Sequence, residues 1–327
     1  MQHIRDRLET HQVAIYFCTV TVALGLSTQM LGTQKLESAI NPALALMLFL
    51  TFVQVPLAEL GQAFSRLRFL AALLITNFML VPLLVAVLIQ FLPPDPLIRL
   101  GVLMVLLTPC IDYVVTFAHL GRANARLLLA ATPTLLIAQM MLLPIYLRLF
   151  LGDASAGLVQ LGPFVHAFVW LIAVPLALAA AVQLWAARSP IGTRVSSVLG
   201  LLPVPATALV LFIVIVAVVP QLGSAVDAIL GVVPVYIAFA LIAPLIGWGV
   251  GRLFRLDALA GRSVAFSAGT RNSLVVLPLA LVVPGAIPIL PAVIVTQTLV
   301  ELVAELVYVR WLAQFGKKRE AASIAPR

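Results

Sequence analysis

Long apolar stretches without charged residues recur along this chain, with most of its charged residues between them. A helix needs about 20 residues to cross the ~30 Å hydrocarbon core of a bilayer. Ten stretches of about that length can be delimited, and four of them contain internal charges. The pattern therefore predicts ten membrane helices, at 13–34, 38–58, 69–92, 100–119, 127–150, 164–187, 195–220, 228–251, 263–283 and 287–311.

The composition supports an integral membrane protein and leaves no room for a separate soluble domain. Hydrophobic residues make up 63% of the 327 residues and charged residues only 10%, and the mean hydropathy is +1.15. So much apolar surface exceeds what one water-soluble core can bury. We therefore expect an all-α polytopic protein whose main surroundings are the lipid bilayer.

The basic residues predict the orientation of the chain in the membrane. The net charge of +8 and the pI of about 10.2 would also fit a nucleic-acid-binding protein. With the N-terminus in the cytoplasm, however, 16 of the 20 Lys and Arg residues lie inside, one lies within a span, and only Lys35, Arg99 and Arg148 lie outside. This follows the positive-inside rule. We therefore predict a plasma-membrane protein with both termini cytoplasmic and no nucleic-acid partner.

Ten spans with both termini on one side divide into two sets of five, and the second set is inverted relative to the first. This layout is typical of secondary transporters. The halves are 1–160 and 161–327, and polar residues interrupt the fourth span of each, "TPCIDYVVTF" and "SAGTRNSLVVLP". Pro109 lacks an amide hydrogen, and Gly269 and Asn272 allow the backbone to open. We predict that the fourth and ninth spans are broken helices that cross near the midplane.

Asp112 and Arg271 occupy matching positions in the two interrupted spans. A lone charge at the centre of a membrane helix costs about 2.5 to 3.5 kcal/mol on insertion scales, so each needs a partner or a purpose. One interpretation is a permanent salt bridge that neutralises both. The other is that Arg271 attracts an anionic or polar substrate while Asp112 exchanges a proton or releases the arginine. Both can hold together.

Further polar residues are candidates for the same site. Glu301 and Glu305 share one face of the last span. We interpret Glu301 as the deeper residue, which is either a site residue that couples to protons or a buried hydrogen-bonding residue, and Glu305 as an interfacial residue within reach of Arg310. Asn272 lies where the backbone is predicted to open. Cys110 is either a small buried residue or, as a thiolate, a soft ligand for a metalloid.

Other chemistry finds little support in the sequence. The chain has neither a glycine-rich phosphate loop nor a His-Glu-x-x-His zinc motif, which disfavours an ATP-driven pump and a metalloprotease. No cofactor is expected. An intramembrane enzyme that uses Asp112, Glu301 and Glu305 stays open as an alternative from a different class.

At these residues the chain resembles the bile acid/sodium symporter superfamily, and within it the arsenite efflux permeases. The permeases carry Ala-Arg-Cys-Ile in the fourth span, where this chain has Cys110 and Ile111, and Pro-Leu-Ile-Glu in the tenth, similar to "TLVE" ending at Glu301. Their Asn-Asn-Phe-Glu in the ninth span corresponds to "RNSL". Leu274 replaces that glutamate, and Asp112 would supply the missing carboxylate.

The resemblance implies a core of spans three to five and eight to ten, which holds the crossed helices, beside a panel of spans one, two, six and seven. Sodium-coupled relatives place Ser-Asn in the fourth span, where this chain has two valines, Val114 and Val115. They place Glu-x-x-x-Gln-Asn in the ninth span, where Ser267, Arg271 and Asn272 stand. Valines offer no oxygen ligand and a fixed cation repels sodium, so protons are the predicted coupling ion.

We therefore predict a secondary active transporter, not an enzyme, that couples efflux of arsenite or antimonite to protons by alternating access. Its substrate site would comprise Cys110 as metalloid ligand together with Asp112, Arg271, Asn272 and Glu301, with Asp112 and Glu301 coupling to protons. The alternative within transporters is a sodium-independent carrier of small organic anions attracted by Arg271.

Overall fold

The computed structural model describes residues 2–27, 34–54, 66–111, 113–152, 166, 169–220, 226–281 and 283–316. Within these ranges all regular secondary structure is helical. The one β-type pairing among the described residues is an isolated bridge between Pro109 and Arg271. The predicted all-α class is confirmed. Asp112 lies outside the described residues.

The helices described before residue 152 are interrupted once by a turn of π-helix. They are α1 (Gln2–Ser27), α2 (Gln34–Gln54), α3 (Leu67–Ile75), the π-helical turn (Thr76–Leu80), α4 (Val81–Leu88) with a 3₁₀ turn (Ile89–Phe91), α5 (Pro96–Leu106), α6 (Val114–Leu120) and α7 (Ala125–Leu151).

The helices described after residue 168 also include one turn of π-helix. The labels count only the helices in the described ranges. They are a π-helical turn (Val169–Ala173) that leads into α8 (Val174–Ala186), α9 (Pro190–Leu199), α10 (Pro203–Val218), α11 (Val226–Leu253), α12 (Ala258–Gly269), α13 (Ser273–Leu281), and α14 (Ile289–Trp311) with a 3₁₀ turn (Leu312–Gln314).

Polar side chains cap the start of α5 and of α12, the two helices that end at the breaks described below. Asp95 accepts the Leu97 N–H at 2.8 Å at the start of α5, and Asp257 accepts the Ala260 N–H at 2.8 Å at the start of α12. Such caps satisfy backbone donors that have no partner within the helix. The charged and amide residues between the apolar runs therefore define where several helices begin.

Six helical stretches of at least 18 residues are apolar enough to cross a membrane: Thr10–Ser27, Leu67–Phe91, Ala125–Leu151, Pro190–Ala217, Val226–Leu253 and Ile289–Gln314. The stretch Pro190–Ala217 comprises α9, a short turn and most of α10. Shorter apolar helices are Ser38–Gln54, Pro96–Leu106 and Val174–Ala186. These lengths confirm a multi-pass membrane protein. The arrangement as ten spans in two inverted sets of five stays a prediction.

Exposed apolar side chains form stripes along the long helices. Ile137, Met141, Ile145 and Leu149 recur at intervals of four residues on α7, and each is at least 49% exposed. Residues four apart lie on one face of a helix. An apolar face of this extent would be unfavourable in water and is the surface that lipid chains cover.

The chain divides into two compact units. The first comprises Met1–Val55, Ala156–Ile229 and Leu274–Val295, and the second comprises Pro56–Ser155, Leu230–Ser273 and Thr296–Arg327. In the first unit, α2 packs against α8 and α10. In the second, α12 packs against α3, α6 and α7, and every residue of α12 from Ala260 to Gly269 is buried. Helix α12 is therefore the buried centre of the unit that holds the candidate site.

Candidate functional site

Two interruptions of helical structure lie side by side in the second unit, one between α5 and α6 and the other between α12 and α13. The Cys110 N–H donates to the Thr270 carbonyl at 3.0 Å, and the Asn272 N–H donates to the Thr108 carbonyl at 2.8 Å. Backbone that leaves the helix within a membrane needs partners inside the protein. Each break therefore supplies hydrogen-bond partners to the other.

The residues predicted to break the helices act in different ways. Pro109, which has no N–H, pairs with Arg271 in the antiparallel bridge between the two breaks. Gly269 is the last residue of α12 and is not among the glycines with positive φ. A Cβ at Gly269 would lie 2.8 Å from Pro244 Cγ and 2.9 Å from Tyr308 Cε2. Gly269 is therefore needed for close packing rather than for an unusual backbone conformation.

The guanidinium group of Arg271 is fully buried and is surrounded by oxygen atoms. Its Nη2 donates to Asn77 Oδ1 and to the Ala268 carbonyl, both at 2.8 Å, and to the Ser267 carbonyl. Its Nη1 donates to the Leu106 carbonyl at 3.4 Å. Ser267 and Ala268 are at the C-terminal end of α12, where the helix dipole favours a positive charge. The site is thus a cation cradle that Arg271 itself fills.

Asn77 holds the far side of this cradle. It lies in the π-helical turn Thr76–Leu80, and its Nδ2 donates to Ser267 Oγ and to the Leu73 carbonyl, both at 3.0 Å. Single π-helical turns are frequent at functional sites because they change the direction of the side chains. The ring of Phe239 covers the guanidinium, with its centroid 5.5 Å from Arg271 Cζ.

The carboxylate of Glu301 accepts three hydrogen bonds, one of them from the break between α12 and α13. Its Oε2 accepts the backbone N–H of Arg271 at 2.7 Å and Gln297 Nε2 at 2.6 Å, and its Oε1 accepts the hydroxyl of Tyr113. Three donors compensate a buried carboxylate for the water it has lost. The arrangement suits an ionised Glu301 that balances the charge of Arg271 while holding its backbone.

Glu305 lies one turn further along α14 and has a different environment. It is fully buried inside the protein, and its interpretation as an interfacial residue within reach of Arg310 stays a prediction. Its Oε1 contacts the hydroxyl of Thr270, and its Oε2 has no partner among the described residues. The same hydroxyl lies 2.7 Å from the Phe266 carbonyl. A hydroxyl has one proton to donate, so a protonated Glu305 that donates to Thr270 leaves that proton for Phe266.

Four of the predicted site residues come together at these breaks. Cys110, Arg271, Asn272 and Glu301 are all buried in the second unit. The predicted meeting of Asp112 with Arg271 concerns a residue that lies outside the described ranges. Within those ranges, no three His, Cys, Asp or Glu side chains gather as a metal site, so Cys110 would bind a metalloid as a single thiolate.

Sequence reasoning missed several members of this cluster. The sequence analysis assigns no site role to Thr270, Tyr113, Asn77 or Gln297. A usable signal existed for two of them, because Thr270 directly precedes Arg271 and Tyr113 follows Cys110 by three residues. Asn77 is an amide inside the apolar stretch 69–92, but no local signal identifies its partner, an arginine 194 positions away.

Comparison with known proteins adds one finding. A family model described as the Sodium Bile acid symporter family matches residues 41–228, which is 188 of the 327 residues. The match includes the break that contains Pro109 and Cys110 and ends before the break that contains Arg271. No curated protein matches the chain.

Proposed function

This chain belongs to the Sodium Bile acid symporter family and is a membrane transporter of that kind, and from this premise we propose that it exports arsenite or antimonite by proton-coupled alternating access. The observation that carries the proposal is the pair of helix breaks joined by the Pro109–Arg271 bridge. Many secondary transporters bind their substrate near the membrane midplane between discontinuous helices, where backbone groups are free to contact it.

The proposed architecture is ten spans as two inverted repeats, 1–160 and 161–327, in the plasma membrane with both termini cytoplasmic. Spans three to five and eight to ten would form the core that holds the breaks, and spans one, two, six and seven the panel against which it moves. The supporting observations are a break after α5 and another after α12, and the division of the contacts into two units, of which the second holds both breaks.

Arg271 supports transport without sodium. Its guanidinium occupies a cradle of three carbonyl oxygens and Asn77 Oδ1, and oxygen atoms of this kind are the ligands that a metal cation such as Na⁺ would require. A tethered positive charge in the cradle makes it unfavourable for a second cation to enter. The sodium coupling that the family name describes is therefore not proposed for this chain.

Protons are the proposed coupling ion. Glu301 and Glu305 are one helical turn apart, and their partners suit an ionised and a protonated carboxyl group respectively. One proton shared between two such carboxyl groups can be released to one side and regained from the other. Asp112 is proposed as a further proton-exchanging residue on the fourth span.

Cys110 is the proposed ligand for the substrate. Arsenous acid is neutral and trivalent, and soft thiolate ligands suit soft acceptors of this kind. The Cys110 thiol would attack arsenic with loss of one hydroxyl, which leaves as water with the thiol proton, so that an S–As bond replaces an O–As bond. Adding water reverses the step and releases arsenous acid. Arg271 and Asn272, on the facing break, would orient the remaining hydroxyl groups.

A small organic anion is the second candidate substrate. Arg271 Nε is buried and has no hydrogen-bond partner among the described residues, so a carboxylate could bind there. The four oxygen acceptors already bound to the other guanidinium nitrogens make this the weaker proposal. An intramembrane enzyme is not proposed, because the family consists of transporters.

The test uses everted membrane vesicles from cells that express the chain. We expect a pH gradient to drive arsenite accumulation equally in sodium and in choline medium. Cys110→Ser should abolish accumulation, because a hydroxyl does not bind arsenic as a thiolate does. Cys18→Ser, which alters an exposed cysteine of α1, should transport normally. Undiminished transport by Cys110→Ser contradicts the thiolate role, and accumulation that requires sodium contradicts the proposed coupling.

A further inference from the structure

A cavity in the second unit, away from the cluster around Arg271, carries a concentration of positive charge. It has a volume of about 390 Å³ and is lined by Arg66, Arg68 and Arg255, with Asp257 and the apolar side chains of Phe69 and Leu127 among its other walls. None of these residues belongs to the cluster around Arg271. Nothing in the proposed transport cycle uses them.

The described residues that line the cavity carry more positive than negative charge. Among them are three arginines and one carboxylate, that of Asp257. Asp257 is engaged in capping α12, since its Oδ1 accepts the Ala260 N–H at 2.8 Å. No ion pair joins any of the three arginines to an acidic side chain within the described part of the chain. Like charges in one cavity repel, and a bound anion would relieve that repulsion.

The backbone around the cavity is also suited to an anion. Helix α3 begins at Leu67, which lines the cavity, and no side chain caps its first turn. The uncapped N–H groups at the start of a helix attract a negative group. Arg255 adopts a left-handed conformation with φ of 54°, which is unfavourable for a residue with a side chain. The arginine is therefore held at a position that glycine would occupy more easily.

The position of the cavity identifies the kind of anion. Three candidate spans end there, since Leu67–Phe91 and Ala125–Leu151 begin beside it and Val226–Leu253 ends beside it. The ends of spans lie at the depth of lipid headgroups. The apolar residues Leu67, Phe69 and Leu127 in the walls offer contact to an acyl chain. Arginine binds phosphate oxygens in pairs and is the preferred residue for phosphate recognition.

We propose that Arg66, Arg68 and Arg255 form a binding site for the phosphate group of an anionic phospholipid. The lipid would connect the start of α3 with the turn between α11 and α12. Helix α3 leads directly into the turn that carries Asn77, and α12 carries the carbonyl groups that hold Arg271. A lipid at this site would therefore connect the N-terminal ends of α3 and α12, the two helices that lead to the residues around the Arg271 guanidinium.

Native mass spectrometry of the detergent-purified full chain tests the site. We expect phosphatidylglycerol to bind at least about tenfold more tightly than phosphatidylcholine, because only the former carries an unbalanced charge to the arginines. The variant Arg66→Gln/Arg68→Gln/Arg255→Gln should lose this preference. The matched control, Arg126→Gln/Arg188→Gln/Arg194→Gln, removes the same charge from exposed arginines outside the cavity and should keep it.

A second arm distinguishes the lipid from a free anion. Thermal unfolding is followed with added phosphatidylglycerol and, separately, with inorganic phosphate against chloride at equal ionic strength. A rise in the unfolding midpoint with the lipid, absent from the cavity variant, supports the proposal. A rise with phosphate alone overturns the lipid as the occupant. The site is overturned if the cavity variant prefers phosphatidylglycerol as strongly as the wild type does. It is also overturned if the control variant loses this preference to the same extent as the cavity variant.

Arg66, Arg68 and Arg255 are exposed, so the triple variant is expected to fold, as its elution and unfolding midpoint without lipid will show. If it does not fold, Arg68→Gln and Arg255→Gln are measured singly with the same lipids. Each should then reduce the preference for phosphatidylglycerol by roughly threefold or more. A single variant with the full preference of the wild type contradicts the proposal for that residue.

Discussion

At the scale of single residues, the charge of Arg271 is the feature that organises the site. Its sequence position in an apolar span implies that a partner exists, because an unpaired charge there is costly. The partners seen in the structure are carbonyl oxygens at the end of α12 and the amide of Asn77. The carboxylate of Glu301 accepts the backbone N–H of Arg271 at 2.7 Å. The arginine is thus bound at both its side chain and its main chain.

The two carboxyl groups of α14 are expected to respond differently when neutralised. Glu301→Gln should lower the free energy of unfolding by about 2 kcal/mol or more, because the amide loses acceptor capacity toward three donors. Glu305→Gln should change it by less than about 0.5 kcal/mol, because an amide resembles a protonated carboxyl group in charge and shape. Chemical unfolding in detergent, followed by tryptophan fluorescence, measures both. A larger loss for Glu305→Gln than for Glu301→Gln contradicts the assigned protonation states.

At the scale of elements, α12 depends on close contact with its neighbours at the break. Gly269 ends this helix against Pro244 of α11 and Tyr308 of α14. The hydroxyl of Tyr308 also donates to the Ala240 carbonyl of α11. The break is therefore shaped by three elements that approach closely, and not by Gly269 alone.

Gly269→Ala is expected to lower the free energy of unfolding by about 1 to 3 kcal/mol, because the added methyl group would overlap two neighbours that cannot easily move. Gly249→Ala on α11 is the matched control, since a Cβ there meets nothing within 4 Å. The control should be neutral or stabilising by up to about 1 kcal/mol, since alanine favours helix. Thermal unfolding of both variants provides the measurement. If the two variants have the same free energy of unfolding, the close packing around Gly269 does not contribute to stability.

At the scale of the whole molecule, the chain is a multi-pass membrane protein of the Sodium Bile acid symporter family, which confirms the family resemblance found in the sequence. The specific similarity to arsenite permeases stays a proposal. The orientation also stays a prediction, and it depends on the distribution of 20 Lys and Arg residues.

Cysteine labelling in intact cells tests that orientation. On a Cys18→Ser background, with Cys110 buried, a single cysteine is introduced as Ala187→Cys or as Pro94→Cys, both at exposed positions. A membrane-impermeant maleimide should label Pro94→Cys, which lies outside in the predicted topology. It should label Ala187→Cys only after the cells are opened. The reverse pattern would contradict cytoplasmic termini.

The class of protein and the places where helices break could be predicted from the sequence. Both depend on local properties, namely the length of the apolar runs and the inability of Pro109 to continue a helix. The family resemblance was also found from residues next to one of these breaks, Cys110 and Ile111. Such properties are encoded within a few neighbouring residues and do not depend on how the helices pack.

The identity of the partners was decided only by the tertiary structure. Whether Glu305 contacts Thr270 depends on how α14 is rotated about its axis toward the break after α12. Asn77 meets Arg271 because a π-helical turn and the end of α12 pack together. Helical periodicity tells which residues share a face but not which face another helix covers. The sequence by itself therefore determined a membrane helix protein with two breaks, and packing decided which polar groups those breaks bring together.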